Sequence, residues 1–374
     1  MCYLARSQGG PVRKIVLALL IALAGCAPRA EIAYAPDPTA PARPIFVGST
    51  RGQDLQSGQD FGFARSPTLA LARFDVAVPP ERRVGELQVS QAGRKPDPKR
   101  DFLVAGSKIY PTAATFRTDL HRALAQNGNE AIVFVHGYNT NFAEGLYRFA
   151  QLGADFDLPG VLVHYSWPSR GQVMGYAYDR DSALFARDGF ETLLRDLRLA
   201  GARHIVIVAH SMGAALSMET LRQVAISRDA ETMARISGVV LISPDIDVDV
   251  FRAQAKRIGR LPQPFIIFTS QKDKALLLSS RLSGERARLG NMTGVDRLAD
   301  LKVTVVETGA FNTREGHFNI GNSPALIQLL RSSSRLAKIL ESAQSANSTF
   351  LAGVVMTVQD AKQVILTPVE AIGG

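Results

Sequence analysis

From residue 130 onward the chain alternates between two kinds of apolar pattern. Short, largely apolar runs rich in β-branched residues recur at 131–135, 161–165, 205–209, 238–243, 264–270 and 303–307. Such runs suit strands covered on both faces, where no side chain needs to meet water. Between and after them, the stretches 142–149, 183–199, 212–226, 250–258 and 325–330 space their apolar positions three and four apart. That is the period of a helix with one buried stripe. Strands alternating with helices predict an α/β fold: a mostly parallel central sheet with helices on both faces. Ahead of this region the pattern predicts strands at 45–48 and 70–78 and a helix at 116–126. Pro79-Pro80 and the polar stretch 94–100 mark loops between them.

One junction stands out. The run 205–209 drives straight into Ala209-His210-Ser211-Met212-Gly213, and helical spacing resumes at once. Ser211 is therefore placed on a sharp strand-to-helix turn, the geometry of a nucleophile elbow. The positions two before and two after such a serine must be small, so that strand and helix can approach; here they are Ala209 and Gly213. Ala209 replaces the more usual glycine, a change of one methyl group.

A serine hydroxyl needs a base to take its proton, and the base needs an acid to orient it. On a sheet with such an elbow the partners follow in the order serine, acid, histidine. Of the six histidines (His121, His136, His164, His204, His210 and His317) only His317 comes after Ser211. Two acids are candidates. Asp273 lies just beyond the strand at 264–270, the favoured position. Asp245 ends the preceding strand and is the alternative; with Asp247 it also suits the N-terminus of the next helix, where carboxylates are stabilised. The segment His136-Gly137-Tyr138-Asn139 resembles a His-Gly oxyanion motif, so the backbone N–H groups of Tyr138 and Met212 are the expected oxyanion donors. His136 and His210 are expected to support these loops rather than titrate, and His164 and His204 to be strand-end residues. Trp167, with Tyr176 or Tyr178, suits either a pocket wall or core packing. The segment 171–182 has the glycines and aromatics of a lid.

The amino terminus is of a different kind. Arg13-Lys14 precede a ten-residue apolar stretch at 15–24, too short to span about 30 Å of hydrocarbon but suited to a signal peptide. It ends in Leu23-Ala24-Gly25-Cys26, which resembles the lipobox of bacterial lipoproteins. The resemblance implies cleavage before Cys26, lipidation of its thiol and, because Ala27 rather than Asp follows, export to the outer membrane facing the periplasm. Cys2 and Cys26 are the only cysteines, so a mature chain would hold no disulfide, thiolate metal site or catalytic cysteine. Loss of Arg6, Arg13 and Lys14 would lower the formal charge from +9 to +6. The remaining basic residues are scattered, which gives a nucleic-acid partner little support. Residues 27–44 are rich in proline and alanine and read as an extended tether holding a domain off the bilayer.

These features divide the chain into a signal peptide (1–25), a lipidated tether (26–44), a catalytic domain (45–335) and a C-terminal extension (336–374). The extension is expected to form a helix packed on the domain. Within 45–335, five segments carry a family resemblance: Phe46-Val-Gly-Ser-Thr-Arg51, Phe134-Val-His-Gly-Tyr-Asn139, Tyr165-Ser-Trp-Pro-Ser-Arg-Gly171, Ala209-His-Ser-Met-Gly213 and Ser243-Pro-Asp-Ile-Asp-Val-Asp-Val-Phe251. With them the chain resembles a bacterial α/β-hydrolase family of unknown function within the esterase/lipase superfamily. The resemblance implies the α/β-hydrolase fold and serine hydrolase chemistry on a small-molecule or lipid-like acyl ester, with no cofactor and no metal. Thioesterase, amidase or acyltransferase activity would use the same groups, and an idle envelope-binding protein is the alternative of another class.

Overall fold

The computed structural model describes residues 29–35, 41–53, 61–90, 93–282, 288–311, 317–331, 349–350, 353–358 and 360–366. Residues 1–28, the expected signal peptide and Cys26 among them, and residues 312–316 lie outside them. Twelve strands form one sheet in the order β10-β11-β12-β9-β8-β7-β6-β4-β5-β1-β2-β3. In chain order they are β1 Ala42–Arg51, β2 Arg65–Ala77, β3 Leu103–Tyr110, β4 Glu130–Val135, β5 Val161–Ser166, β6 His204–His210, β7 Ile236–Ile242, β8 Phe265–Thr269, β9 Thr304–Glu307, β10 Thr349–Phe350, β11 Gly353–Val358 and β12 Ala361–Leu366. The eight strands from β12 to β1 in that order pair in parallel, while β2, β3 and the β10–β11 hairpin arm add antiparallel edges. This is the α/β-hydrolase fold, as the alternating pattern and the quoted segments predicted.

The helices are α1 Ala113–Gln126, α2 Phe142–Asp155, α3 Tyr176–Leu199, α4 Met212–Ile226, α5 Ala230–Arg235, α6 Val248–Ile258, α7 Lys274–Leu282, α8 Asn319–Asn322 and α9 Pro324–Arg331. Alternate residues of one strand serve opposite layers, because successive side chains of a strand point to opposite faces. Val133 and Val135 pack with Phe190, Leu193, Leu221 and Phe251 beneath α3, α4 and α6. Ile132 and Phe134 pack with Leu146, Phe149, Leu326 and Leu330 beneath α2 and α9. Each large side chain buried in this way contributes about 1.5–3 kcal/mol. Polar chemistry sets where the helices start. Asn141 and Glu144 close a capping box on α2, and the Asp247 carboxylate accepts from the amides of Asp249 and Val250 at the start of α6.

Two expectations are corrected. The C-terminal extension is not a helix where it is described: β11 and β12 form a hairpin, and β12 pairs in parallel with β9 at the sheet edge. Its β-branched residues fit a pleated surface, and Ala361, Val364 and Leu366 are fully buried there. The tether does not stand off as a spacer over its described part. Residues 29–35 lie along the domain, with Ala35 N–H donating to Val104 O at 2.9 Å and Val104 N–H to Ala33 O at 2.8 Å. In the stretch 171–182, α3 begins at Tyr176. Only its first five residues are loop, with Met174 at the exposed tip.

Candidate active site

Because β4, β6, β8 and β9 run in parallel, their carboxyl ends open on one edge of the sheet. The loops there carry the candidate groups. Ser211 follows β6 with φ 52° and ψ −120°, a left-handed backbone that a residue with a side chain adopts only at a cost of about 1–3 kcal/mol. Neighbours hold it there. Ser211 N–H donates to Ile242 O at 2.9 Å, and Ser211 O accepts from Ala214 N–H at 3.0 Å and Asp245 N–H at 3.2 Å. Gly213 has no room for a side chain: a Cβ would lie 2.3 Å from His136 O and 2.7 Å from Val135 O. Gly137 is equally tight, with a Cβ position 2.7 Å from His210 Nδ1 and 3.0 Å from Ser211 Cβ. These contacts are the reason for small residues around the serine.

Two candidates distant in sequence meet at the other end of the site. His317 Nδ1 lies 2.7 Å from Asp273 Oδ2. A carboxylate can only accept, so Nδ1 donates the proton of this bond and Nε2 faces away from Asp273. Asp273 is fully buried, and its Oδ1 also accepts from Leu276 N–H at 3.0 Å, which fixes its rotamer. The His317 ring packs on His210 with centroids 4.7 Å apart, and His210 Nε2 donates to His317 O at 3.3 Å. This arrangement sets His317 beside the residue that precedes Ser211. Among the described residues Ser211 Oγ makes no hydrogen bond; in enzymes the hydrogen bonds of a nucleophile often tighten only with substrate.

Asp245 serves a different neighbourhood. It accepts from Tyr176 Oη at 2.9 Å and Ser279 Oγ at 2.7 Å, and pairs with the buried Arg288 at 3.2 Å. It thereby ties α3, α7 and residue 288 together beneath the elbow.

The loop after β4 packs on the serine at Gly137, the residue before Tyr138. Among the described residues, neither Tyr138 N–H nor Met212 N–H donates to a backbone carbonyl, so both remain available to an oxyanion. His136 beneath the loop is buried and stacks on Trp167, with centroids 4.9 Å and planes 10° apart. Burial, helped by the adjacent Arg51, holds its pKa well below the ordinary histidine value, so the ring is neutral. Its Nδ1 lies 2.8 Å from Gly137 O, and its Nε2 lies 3.1 Å from Trp167 O and 3.3 Å from Arg51 Nη2, so both ring nitrogens are held by the surrounding loops. His136 is a brace, as its sequence context suggested. Trp167 is wholly buried and donates from Nε1 to His136 O at 2.7 Å, so it packs the core rather than lining a pocket.

Sequence reasoning missed two side chains that hold this loop. Arg51 is buried and donates to Ser166 Oγ, Gly62 O, Ser169 O and Thr140 O, joining the loops after β1, β4 and β5. Burial lowers its pKa to about 10, which leaves it cationic at neutral pH. Asp179 accepts from Ser169 Oγ at 2.6 Å, Arg170 N–H at 2.7 Å and Asn139 N–H at 3.2 Å. Burial raises its pKa against those hydrogen bonds. Arg51 ended a segment that carried the family resemblance, so a signal existed; Asp179 had none.

Two cavities flank the elbow. One of about 490 Å³ is lined by Gly137, Asn139, His210, His317 and Phe318 together with Arg29 from the amino-terminal segment. The other, of about 230 Å³, is lined by Met212, Tyr176, Leu184, Leu216, Ile246 and Val250. Among the described residues no three His, Cys, Asp or Glu side chains cluster to hold a metal, and no helix is long and apolar enough to cross a membrane.

Residues 112–332 match a family model described as alpha/beta hydrolase of unknown function (DUF900). No curated protein matches the sequence. Solved structures similar to this chain include Trichoderma reesei cutinase with a phosphonate inhibitor (16% identity, 36% of this chain and 64% of that one, TM-score 0.22). Aspergillus fumigatus lipase B matches at 14% identity over 60% of this chain and 57% of the lipase, TM-score 0.38. A Pyrobaculum calidifontis esterase matches at 12% identity over 89% and 92%, TM-score 0.34. The chain thus spans less than two thirds of the cutinase and of the lipase.

Proposed function

Since the chain belongs to the DUF900 family of α/β-hydrolases, we propose that it hydrolyses carboxylic esters through an acyl-enzyme formed on Ser211. Ser211 Oγ attacks the ester carbonyl while His317 Nε2 takes its proton. Asp273 holds Nδ1–H and stabilises the imidazolium that results. The carbonyl oxygen, now carrying the negative charge, accepts from Tyr138 N–H and Met212 N–H. Collapse expels the alcohol, which receives the proton from His317. A water then repeats the sequence, releasing the carboxylic acid and restoring Ser211. The observation that carries this reading is the meeting, at one sheet edge, of a serine held at φ 52° and a histidine 2.7 Å from a buried carboxylate.

A fluorophosphonate probe tests it. The full chain should be labelled at Ser211, and Ser211→Ala should lose both labelling and turnover of short-chain esters. Turnover that survives Ser211→Ala overturns the proposal.

The same reading extends to location. With Cys26 lipidated, three peptide units separate the anchor from Arg29, a reach of no more than about 11 Å. The docked segment 29–35 would then hold the larger cavity at the membrane surface, in place of a long standoff, which favours acyl esters of lipid-like character. Cells fed a tagged fatty acid should label the wild-type chain and not Cys26→Ser. Equal labelling of the two rules the anchor out.

A further inference from the structure

The side chain of Arg29 reaches from the segment ahead of β1, and from outside the stretch that matches the family model, into the oxyanion loop. Its Nη1 donates to Asn139 Oδ1 at 2.9 Å, and its Nη2 donates to Asn139 O at 2.8 Å and to Glu144 Oε2 at 2.5 Å. Asn139 follows Tyr138 directly and has φ 54°. Glu144 closes the capping box of α2 with Asn141. One guanidinium therefore clamps the loop just after Tyr138 to the first turn of a helix. The segment that delivers it is itself anchored. Ala30 is buried, Ala30 O accepts from Asn141 Nδ2 at 2.9 Å, and Ala33 N–H donates to Tyr147 Oη at 3.1 Å.

We propose that Arg29 is a positioning residue for the oxyanion hole, so that the amino-terminal segment completes the active site. The inference rests on the hydrolase reading above. The Arg29 side chain is about a third exposed (37%), so its charge pairing with Glu144 is screened by solvent. What it supplies is geometry: a rigid planar fork that grips a side-chain oxygen and a main-chain oxygen of one residue at once. A lysine, with a single ammonium on a flexible stem, keeps the charge and loses that grip. Through Asn139 the fork sets the orientation of the Tyr138 amide. A misplacement of 1 Å in such a group costs about 100-fold in rate.

The test uses the full chain with Arg29→Ala, Arg29→Lys and Ser211→Ala, assayed on a soluble p-nitrophenyl ester. Arg29→Ala should lower kcat about 10- to 100-fold with KM within about twofold. Arg29→Lys, which retains the charge and the stem and guards against a folding defect in the alanine variant, should lower kcat at least about fivefold. Affinity for a boronic-acid transition-state analogue should fall by the same factor as kcat, a readout that loosened packing alone would not move. Wild-type kcat in Arg29→Lys overturns the inference, whatever the alanine variant does. If Ser211→Ala is dead while both Arg29 variants turn over normally, only the positioning role falls. If Ser211→Ala stays active, the hydrolase reading falls and takes the positioning role with it.

Discussion

Asp245 and Asp273 follow adjacent parallel strands, yet their surroundings give them different work. Asp273 faces one titratable partner, His317, and is locked by the Leu276 amide. Asp245 faces a buried guanidinium and two hydroxyls. Each therefore has its own expected failure. Asp273→Asn removes the acceptor that selects the His317 tautomer and should lower kcat about 10⁴-fold with little change in the urea midpoint. Asp245→Asn breaks a buried pair, which costs about 3–5 kcal/mol, so it should lower the urea midpoint sharply. Measuring kcat and the midpoint on both variants separates the roles; a large loss of kcat confined to Asp245→Asn would reverse them.

Among the elements, the unexpected one is the β11–β12 hairpin. β12 covers the flank of β9 from Thr304 to Glu307, the strand that leads into the His317 loop. Val364 and Leu366 contribute buried area worth about 1.5–3 kcal/mol each, and β12 also satisfies an edge that would otherwise present free N–H and C=O groups. A chain lacking residues 349–374 should therefore melt lower, self-associate with rising concentration and lose turnover. Light scattering and thermal melts check this, and a monomeric truncation with an unchanged Tm would contradict it. Helical periodicity read this hairpin wrongly because its apolar clusters are short and fit two periods. What decides between the periods is the neighbouring strand, which lies some 60 residues earlier in the chain.

On the scale of the whole molecule, three histidines, His136 and His164 buried and His210 half-buried, couple stability to pH. Burial, with the adjacent Arg51 and His317 adding to it, keeps His136 and His210 well below the ordinary value, and burial lowers His164 to about 3. The unfolded chain binds protons on these rings near pH 6.5 while the native chain does not. Below that pH the unfolded state holds more protons, so stability falls as the pH falls, by up to about 1.4 kcal/mol per pH unit for each ring. For His164 the effect persists down to about pH 3. Asp179, raised by burial, works in the opposite sense at the acid end. Urea midpoints measured from pH 7.5 to 4.5 should be level above about 6.5 and drop steeply below it. A level profile throughout would mean that these rings are protonated in the native chain.

Much of this protein was legible in contiguous residues. The apolar runs of β4 to β8 declared buried parallel strands, because a strand covered on both faces is built mainly of apolar residues. Ala209, Ser211 and Gly213 declared an elbow, because the close approach of strand and helix excludes a side chain at Gly213. Chain order left one histidine, His317, and strand position ranked Asp273 above Asp245. Only the tertiary structure could decide what crosses long separations. Arg29 grips Asn139 across 110 positions, Arg51 reaches His136 across 85, and Asp179 holds Asn139 across 40. A guanidinium or a carboxylate leaves no periodic trace of its partner. Its role exists only once folding has brought the two together.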